Sequence, residues 1–357
     1  MNNQPMPLIR IYGSHRQMGR QIGEACRDQI HHSIANANQL LADAFERLQL
    51  TWEGAQTQSR KYIPFAEERF PRFVEEMQGI AEGANASFDD IAVVNAMEAV
   101  TMDALHLTKC TSMAVAPERS ASGHVYLAHN EDWLPEDEPD LIMLHATPDD
   151  APPFLAMTYG ALLPNIGFNA EGIAQACDSV YPIDSRIGTP RVIVSRATLA
   201  ARSPDDAIRS ALAPQRAAGY NHMIAHESGE LYNVEVSARR FAVLGSEDGV
   251  VAHTNNYLSP NMVEVESDPD ELIATRVRYF RSKRLLGLTR LHTIESLQAI
   301  QRDHINFQDS ICNHAIDSQQ PFDREKTITA MIMDLTERVI YATWGSPCQN
   351  EYHIYRL

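Results

Sequence analysis

The sequence lacks any apolar run long enough to cross a lipid bilayer, so no transmembrane helix is predicted. Residues 1–13 lack the apolar core and the cleavage pattern of a secretory signal peptide. Cysteine is also scarce, and an odd number of scattered cysteines is not a disulfide framework. We therefore expect a cytoplasmic protein with free thiols, one of which can be reactive. The five cysteines are Cys26, Cys110, Cys177, Cys312 and Cys348.

Positive charge is in short supply as well. Lys and Arg total 30 against 47 Asp and Glu, which gives a formal net charge of −17. No local basic patch offsets this charge, so we expect neither a nucleic-acid partner nor a membrane partner. The hydrophobic fraction of 44% and the charged fraction of 22% are ordinary for a globular protein.

Several familiar motifs are absent. The sequence has no phosphate-binding Gly-x-x-x-x-Gly-Lys and no dinucleotide-binding Gly-x-Gly-x-x-Gly after a strand. It has no His-Glu-x-x-His and no Cys-x-x-Cys, and it has no Gly-x-Ser-x-Gly of the serine hydrolases. We therefore predict no cofactor and no metal site, and Cys312 and Cys348 have no evident partner.

The order of predicted elements indicates an α+β fold. Residues 14–95 have mainly helical periodicity. The pattern predicts one helix over 15–50, a second from near Trp52 to Tyr62, a third over 65–84 that breaks at Pro71, and a fourth with its N-cap at Ser87. Short β-rich runs dominate after Lys109, with helices inserted in blocks: one over 192–212 that restarts at Ser203-Pro204, and one that begins at Asp270. This order predicts a layered sheet core covered by helices and not an alternating βαβ sheet. Without repeats or a clear linker, we expect residues 1–357 to form a single integrated domain.

The strongest local candidate for chemistry is Cys110, where the helical portion gives way to strands. The next strand ends in a polar run that contains Asn130 and Asp132. With a hairpin turn centred near Ala121, Cys110 and Asp132 are equally far from the turn, and such positions lie side by side in an antiparallel pair. The hairpin therefore predicts a thiol, an amide and a carboxylate at one open end. The alternative is a buried, inert cysteine at a strand start.

Several segments, in this order and spacing, resemble the isopenicillin N acyltransferase-like (acyl-CoA:aminopenicillanic acid acyltransferase) family. This is a family of N-terminal nucleophile hydrolases related to the choloylglycine hydrolases, and the resemblance covers nearly the whole chain. The segments are the helical front with Gly13, Gly19 and Gly23, then 110–112 (CTS), 129–133 (HNEDW), 167–174 (GFNAEGIA), 253–260 (HTNNYLSP) and 327–328 with 344–347 (WGSP).

The resemblance implies a four-layer αββα sandwich with a helical N-terminal portion, and a precursor that cleaves itself. The thiol of Cys110 would attack the carbonyl of Lys109 and form a thioester that water hydrolyses. The products would be a mostly helical α fragment, 1–109, and a sheet-rich β fragment, 110–357, which stay associated.

Cleavage would also create the base that the nucleophile needs. A thiol with a pKa of ~8.5 is mostly protonated at neutral pH, and an α-amino group with a pKa of ~7.7–8.0 on the same residue can accept its proton. By family position, Asp132 would hold this amino group and Asn255 would donate a hydrogen bond to the oxyanion. The resemblance gives Asp178 and Arg324 supporting or substrate-binding roles, and the hairpin gives Asn130 a role of the same kind.

The leading prediction is an autoprocessed cysteine amidohydrolase that cleaves a small N-acyl or aminoacyl amide through a thioester. An acyltransferase would use the same intermediate, with an amine in place of water. Two other hypotheses stay open: an unprocessed, inactive member of the fold that binds a ligand, and a thiol hydrolase that pairs Cys110 with a histidine such as His253. The substrate and the oligomeric state, including a homo-oligomer, are left open by the sequence.

Overall fold

The structure is a computed structural model that describes residues 4–101, 109–267, 272–316 and 324–357. The strands of these ranges form one sheet of eight strands and one of six. The strands are β1 (Leu8–Gly13), β2 (Lys109–Val115), β3 (Tyr126–Trp133), β4 (Leu141–Pro148), β5 (Phe154–Tyr159), β6 (Ile166–Asn169), β7 (Ile173–Asp178), β8 (Tyr220–His226), β9 (Leu231–Val236), β10 (Phe241–Gly245), β11 (Val250–His253), β12 (Lys326–Asp334), β13 (Val339–Ala342) and β14 (His353–Arg356).

Most of the helices precede β2 in the chain, and the others lie in two later blocks. The helices are α1 (His15–Ala25), α2 (Arg27–Asp43), α3 (Phe45–Leu48), α4 (Trp52–Ser59), α5 (Ile63–Arg69), α6 (Pro71–Ala84), α7 (Phe88–Asn95), α8 (Met97–Val100), α9 (Arg191–Leu199), α10 (Pro204–Ala211), α11 (Pro260–Val263), α12 (Ile273–Leu288) and α13 (Ile294–Gln301). No helix of the described ranges is both long and apolar enough to span a membrane.

The two sheets lie face to face. The larger has the strand order β1-β4-β5-β6-β7-β8-β9-β10 and the smaller has the order β11-β2-β3-β12-β13-β14. Alternate side chains of β2 and β3 point to opposite faces, as the pleat of a strand requires. Ala114 and Leu127 pack between the sheets, whereas Met113 and Ala128 pack against α12 and α13. The predicted α+β class is confirmed.

The outer face of the eight-stranded sheet is covered by the N-terminal helices and α9. Ile142 and Leu144 of β4 share a hydrophobic cluster with Ile22 of α1 and Phe73 of α6. Helices therefore cover both outer faces of the paired sheets, which confirms the predicted four-layer αββα sandwich. The strands β2 and β3, which carry the predicted nucleophile, lie in the interior of this stack.

Helix starts were predicted better than helix continuity. The break at Pro71 and the N-terminal caps at Ser87 and Ser203 are confirmed. Residues 15–50 were predicted as a single helix, but the chain leaves the helical conformation at Cys26 (φ −119°, ψ 28°) and again at Ala44 (φ −92°, ψ 8°). Apolar spacing persists across such short breaks because the same face stays buried.

Two strands were missed, and one predicted boundary cannot be compared. The missed strands are β1 and β6, and both are short. The helix predicted to begin at Asp270 starts outside the described residues, and its described part is α12.

Candidate active site

The predicted hairpin is confirmed, with a register that differs by one residue. Lys109 pairs with Asp132 and Cys110 pairs with Glu131, so the prediction that Cys110 lies opposite Asp132 is wrong. The connection between the strands contains a 3-10 turn over Pro117–Arg119 and is not symmetric about Ala121. A shift of one residue exchanges the two faces of a strand. Glu131 therefore shares the inner face with Cys110, whereas Asp132 points to the other face.

Cys110 is buried at the start of β2. Its backbone nitrogen donates a 2.8 Å hydrogen bond to Oδ1 of Asn255, and its Sγ lies 3.7 Å from Oε2 of Glu131. Burial raises the pKa of the Cys110 thiol well above its ordinary value, and the charges of Glu131, Asp178 and Asp132 raise it further. The thiol is therefore protonated in the intact chain, and a nearby group must accept its proton before it can attack.

Asn255 and Arg278 hold the backbone of Cys110 from the side of β11 and α12. Asn255 Nδ2 donates to the carbonyl of Ser179 at 3.0 Å. Arg278, only 2% exposed, donates to the carbonyl oxygen of Cys110 at 2.7 Å and to Asn255 Oδ1 at 2.9 Å. A third bond joins Arg278 to the hydroxyl of Thr111 at 3.1 Å. These contacts fix both the backbone N–H and the carbonyl group of Cys110, and they place a buried positive charge beside this residue.

Asp132 lies fully buried on the outer face of β3. Its Oδ1 accepts a 2.6 Å hydrogen bond from the hydroxyl of Thr327, whereas its buried Oδ2 has no partner among the described residues. Burial raises the pKa of Asp132 to about 7, although the charge of Arg278 acts to lower it. This carboxyl group can therefore change its charge near neutral pH and has one oxygen available for a new donor.

A hydrogen-bond network on the inner face links Cys110 to the opposite sheet. Ser112 Oγ donates to Asp178 Oδ1 at 2.7 Å and lies 2.9 Å from His129 Nδ1, and His129 Nε2 lies 2.8 Å from Glu131 Oε2. Because Ser112 has a single hydroxyl proton, which goes to Asp178, its oxygen can accept a hydrogen bond from His129 Nδ1. The other ring nitrogen of His129 faces the carboxyl group of Glu131, which also lies beside the Cys110 thiol.

The histidine named in the alternative thiol hypothesis lies elsewhere in this network. His253 is held between Asp178, 3.2 Å from Nδ1, and Glu235, 3.1 Å from Nε2. Burial acts to lower the pKa of His253, but the two carboxylates outweigh it and raise this pKa to about 9. Burial acts to raise the pKa of Asp178, but His253, with smaller contributions from His129 and Ser112, more than offsets this effect, so the pKa of Asp178 is below its ordinary value. His253 is thus a buried cation without a hydrogen bond to Cys110.

The remaining predicted residues have different positions. Lys109 Nζ lies 3.5 Å from Oε2 of Glu325, and burial raises the pKa of Glu325 to about 8 against the lowering effect of Lys109. Asn130 points away from Cys110, and its Nδ2 donates to the carbonyls of Gln301 and Ile311 at 3.0 and 2.9 Å. The Nε of Arg324 is buried without a hydrogen-bond partner among the described residues. No described hydrogen bond or ion pair joins Arg324 to Cys110, Asp132 or Asn255.

A small cavity of about 40 Å³ adjoins the inner face of β3. Glu131 lines this cavity and is also the residue next to the Cys110 thiol. Its wall is largely apolar, and two further acidic residues, Glu98 and Asp137, contribute to it. Glu98 is paired with Arg191 at 2.7 Å. The apolar lining residues are Ala37, Leu40, Val94, Met97, Trp133, Leu134, Leu162 and Val192.

Cys110, His129 and Glu131 also form a set of potential metal ligands, with ligand atoms within 4.8 Å of one another. The contacts of Glu131 with the Cys110 thiol and with His129 Nε2 account for these short distances. We therefore assign no metal to this set.

The sequence profile of the acyl-coenzyme A:6-aminopenicillanic acid acyl-transferase family matches residues 119–349, which is more than half of the chain. The chain belongs to this family. The matched range contains Asp132, Asp178, Asn255 and Arg324 and begins shortly after Cys110.

Two curated relatives are enzymes by name. The chain is 23% identical over 347 residues to the 40 kDa form of acyl-coenzyme A:6-aminopenicillanic-acid-acyltransferase of Emericella nidulans, with 95% of this chain and 92% of the relative covered. It is 23% identical over 226 residues to the beta-alanyl-dopamine/carcinine hydrolase of Drosophila melanogaster, with 58% and 57% covered. Among solved structures it is similar to penicillin V acylase from Agrobacterium tumefaciens, with a TM-score of 0.45, 10% identity, and 66% of this chain and 83% of that chain covered.

Two residues of the site were missed by sequence reasoning. Glu131 belongs to the polar run 129–133, but the predicted register paired Cys110 with the next residue, Asp132. Arg278 lies on a helix far along the chain, and no local pattern distinguishes it from the other arginines of α12. Only the packing of α12 on β2 brings its side chain to Cys110.

Proposed function

We propose that this protein is an autoprocessed cysteine amidohydrolase of the N-terminal nucleophile type. The contact that supports this most directly is the 2.8 Å hydrogen bond between the backbone nitrogen of Cys110 and Asn255 Oδ1. This nitrogen is the atom that becomes the α-amine after cleavage, and the bond fixes it in advance. Glu131 and Asp132 supply carboxylates on the two faces of the same strand end.

In the proposed cleavage step, Sγ of Cys110 attacks the carbonyl carbon of Lys109 and its proton passes to Glu131. The C–N bond between Lys109 and Cys110 then breaks, and the departing nitrogen takes up a proton to become the α-amine. Water hydrolyses the resulting thioester, which releases the carboxylate of Lys109 and restores the thiol. The products are the α fragment 1–109 and the β fragment 110–357, which we propose stay associated within one integrated domain.

In the proposed catalytic cycle, the α-amine of Cys110 accepts the thiol proton and the thiolate attacks the amide substrate. The acyl group is then held as a thioester until water, or an acceptor amine, removes it. Oδ2 of Asp132 is available to hold the ammonium form of the amine. Asn255 Nδ2 must release the Ser179 carbonyl before it can donate to an oxyanion, and Asp178 keeps Ser112 and His129 in place.

We propose a small N-acyl or aminoacyl amide as the substrate. The apolar walls of the cavity beside Glu131 suit the acyl part, with its carbonyl directed toward Cys110. At about 40 Å³ the cavity holds little more than a water molecule, so it must widen to admit a substrate. We propose no cofactor, a cytoplasmic location, and small-molecule substrates in place of nucleic acid or membrane partners. Asn130 is proposed to support the site by holding the carbonyls of Gln301 and Ile311 against β3. Arg324 is proposed to support it from the segment that precedes β12.

Mass spectrometry of the purified protein tests the cleavage. The wild-type chain is expected to yield a fragment that begins at Cys110, whereas C110A is expected to remain a single inactive chain. C177A is the matched control because Cys177 is an equally buried thiol in the other sheet; it should be cleaved normally. A wild-type chain that stays whole while hydrolysing amides would refute the self-cleavage. In that case, loss of activity in H253Q would favour the thiol hydrolase alternative.

A further inference from the structure

A cluster of two cysteines and two histidines lies outside the proposed active site. Its members are His304, Cys312, His314 and Cys348, and their potential ligand atoms all lie within 4.8 Å of one another. His304, Cys312 and His314 belong to the loop after α13, and Cys348 belongs to the loop between β13 and β14. No sequence motif indicates this set, because Cys348 is far from the others along the chain.

One ring nitrogen of this cluster has more polar neighbours than it can hydrogen-bond. His314 Nε2 lies 3.0 Å from His304 Nε2, 3.6 Å from Cys312 Sγ and 3.4 Å from Cys348 Sγ. A ring nitrogen makes one hydrogen bond, either as donor or as acceptor. Three potential ligand atoms around a single nitrogen are therefore not explained by hydrogen bonds among the side chains.

We propose that these four residues bind a zinc ion. Two thiolates and two imidazoles are a common ligand set of structural zinc sites, with Zn–S distances of about 2.3 Å and Zn–N distances of about 2.0–2.1 Å. A regular tetrahedron with these bond lengths places its ligand atoms about 3.3–3.8 Å apart. The three measured separations, 3.0, 3.4 and 3.6 Å, are close to this range. Two thiolates also neutralise the charge of Zn²⁺.

The ion would join two loops at the outer face of the six-stranded sheet. These loops are already linked by the 2.8 Å hydrogen bond from Arg302 Nε to the carbonyl of Pro347. The residue after Cys312 is Asn313, whose backbone nitrogen donates to the hydroxyl of Thr327 at 2.9 Å. That hydroxyl in turn donates to Asp132. Zinc would therefore hold the loop that orients Thr327 toward Asp132, as a structural ion and not as part of the reaction.

Metal analysis of the full-length protein tests the proposal. The protein is produced in zinc-supplemented medium without a histidine tag, and its metal content is measured by native mass spectrometry and elemental analysis. We expect one zinc per chain in the wild type and in H226Q, a histidine control outside the cluster. In C348S and H314A we expect zinc affinity to fall by more than the about 10–100-fold typical of changes outside the ligand set.

A spectroscopic measurement covers the case in which a ligand variant fails to fold. Cobalt replaces zinc in the wild-type protein, and tetrahedral thiolate coordination is expected to give intense visible bands with sulfur-to-cobalt charge-transfer absorption. Both should be weaker in C348S that retains the wild-type circular dichroism spectrum. The proposal would be overturned if the wild-type protein bound no zinc and the cobalt-treated protein lacked these bands. A Cys312–Cys348 disulfide in metal-free protein would also overturn it. So would a C312S/C348S double variant with the same zinc content as the wild type.

Discussion

Asp132 combines full burial with one carboxylate oxygen that has no partner among the described residues. Such a group is costly to ionise, which is why its pKa is raised to about 7. A cation formed next to it would supply the missing partner. The amine that the proposed cleavage would release from Cys110 is a cation of this kind, so Asp132 suits the proposed cleaved protein better than the intact chain.

For D132N we expect a fall in kcat/KM of about 100-fold or more, because the amide cannot hold an ammonium ion by charge. The rate of self-cleavage of the wild type should rise as the pH passes through about 7, where Asp132 ionises in the intact chain and can hold the amine as it forms. This rise with pH should be absent in D132N. The matched control is D334N. Asp334 is also a buried aspartate of the six-stranded sheet, but it lies at the C-terminal end of β12, far from Thr327, the partner of Asp132 at the other end of that strand. The same rise with pH in D132N would contradict the proposed role of Asp132 in holding the amine.

Arg278 is predicted to matter through its three hydrogen bonds at the Cys110 peptide unit. R278Q removes the buried positive charge and the guanidinium group that makes these hydrogen bonds. We expect self-cleavage to slow by about 100-fold, the loss typical of a missing electrostatic donor. The appearance of the 110–357 fragment is followed by mass spectrometry. R284Q, on an exposed position of the same helix, should process at the wild-type rate. Equal rates for the two variants would exclude the role of Arg278.

At the scale of elements, α1 and α6 are in unusually close contact. Gly19 and Gly23 of α1 face Gly79 and Gly83 of α6, and a methyl group added at Gly19 would overlap the carbonyl oxygen of Glu76. Backbone atoms on both helices leave no room for side chains along this line. The glycines noted in the helical front thus have a packing explanation that is independent of catalysis.

We expect G19A to lower the free energy of unfolding by about 1–3 kcal/mol, since the added methyl group forces the two helices apart. The free energy is measured by urea denaturation of protein that carries C110A, so that both variants are compared as single chains. Gly287 of α12 is the matched control because its position is open, with nothing within 4 Å of an added methyl group. G287A should be neutral or up to about 1 kcal/mol more stable. Equal effects of the two substitutions would refute the packing explanation.

The elements show what the sequence could and could not predict. Local signals gave the breaks at Pro71 and Ser203, because a proline or a cap acts within one turn. The register of β2 against β3 depends on how the connection around Pro117–Arg119 folds, and counting residues to the turn missed it by one position. The site was only partly predictable for the same reason: Cys110 and Asn255 are brought together as the resemblance implied, whereas the contact of Arg278 depends on long-range packing.

At the scale of the whole molecule, buried charges cross the interface between the two sheets. His253 lies between Asp178 and Glu235, and its pKa of about 9 is above its ordinary value of 6.5. A group whose pKa is raised on folding stabilises the fold fully below its unfolded pKa, and this contribution is lost as the pH rises through its folded pKa. The stabilisation by protonated His253 should therefore disappear between about pH 6.5 and about pH 9.

Urea denaturation of the wild type and H253Q, both with C110A, tests this pH dependence. At about pH 6.5 the wild type should be the more stable protein, and the difference should narrow as the pH approaches about 9.5. Ionisation of groups far from His253 affects both proteins equally and cancels in the difference. A stability difference that does not change with pH would contradict a protonated His253 in the folded state.

The strand β1 is the edge of the eight-stranded sheet and pairs in parallel with β4, from Leu8 opposite Met143 to Gly13 opposite Pro148. It lies before Cys110 in the chain and β4 lies after it, so a cut at this cysteine leaves one backbone ladder shared by two polypeptides. Unfolding of the cleaved protein would then be a dissociation, and refolding would become a bimolecular reaction that slows on dilution. An intact precursor would need no such encounter, so folding before the proposed cleavage would be the more efficient order of assembly.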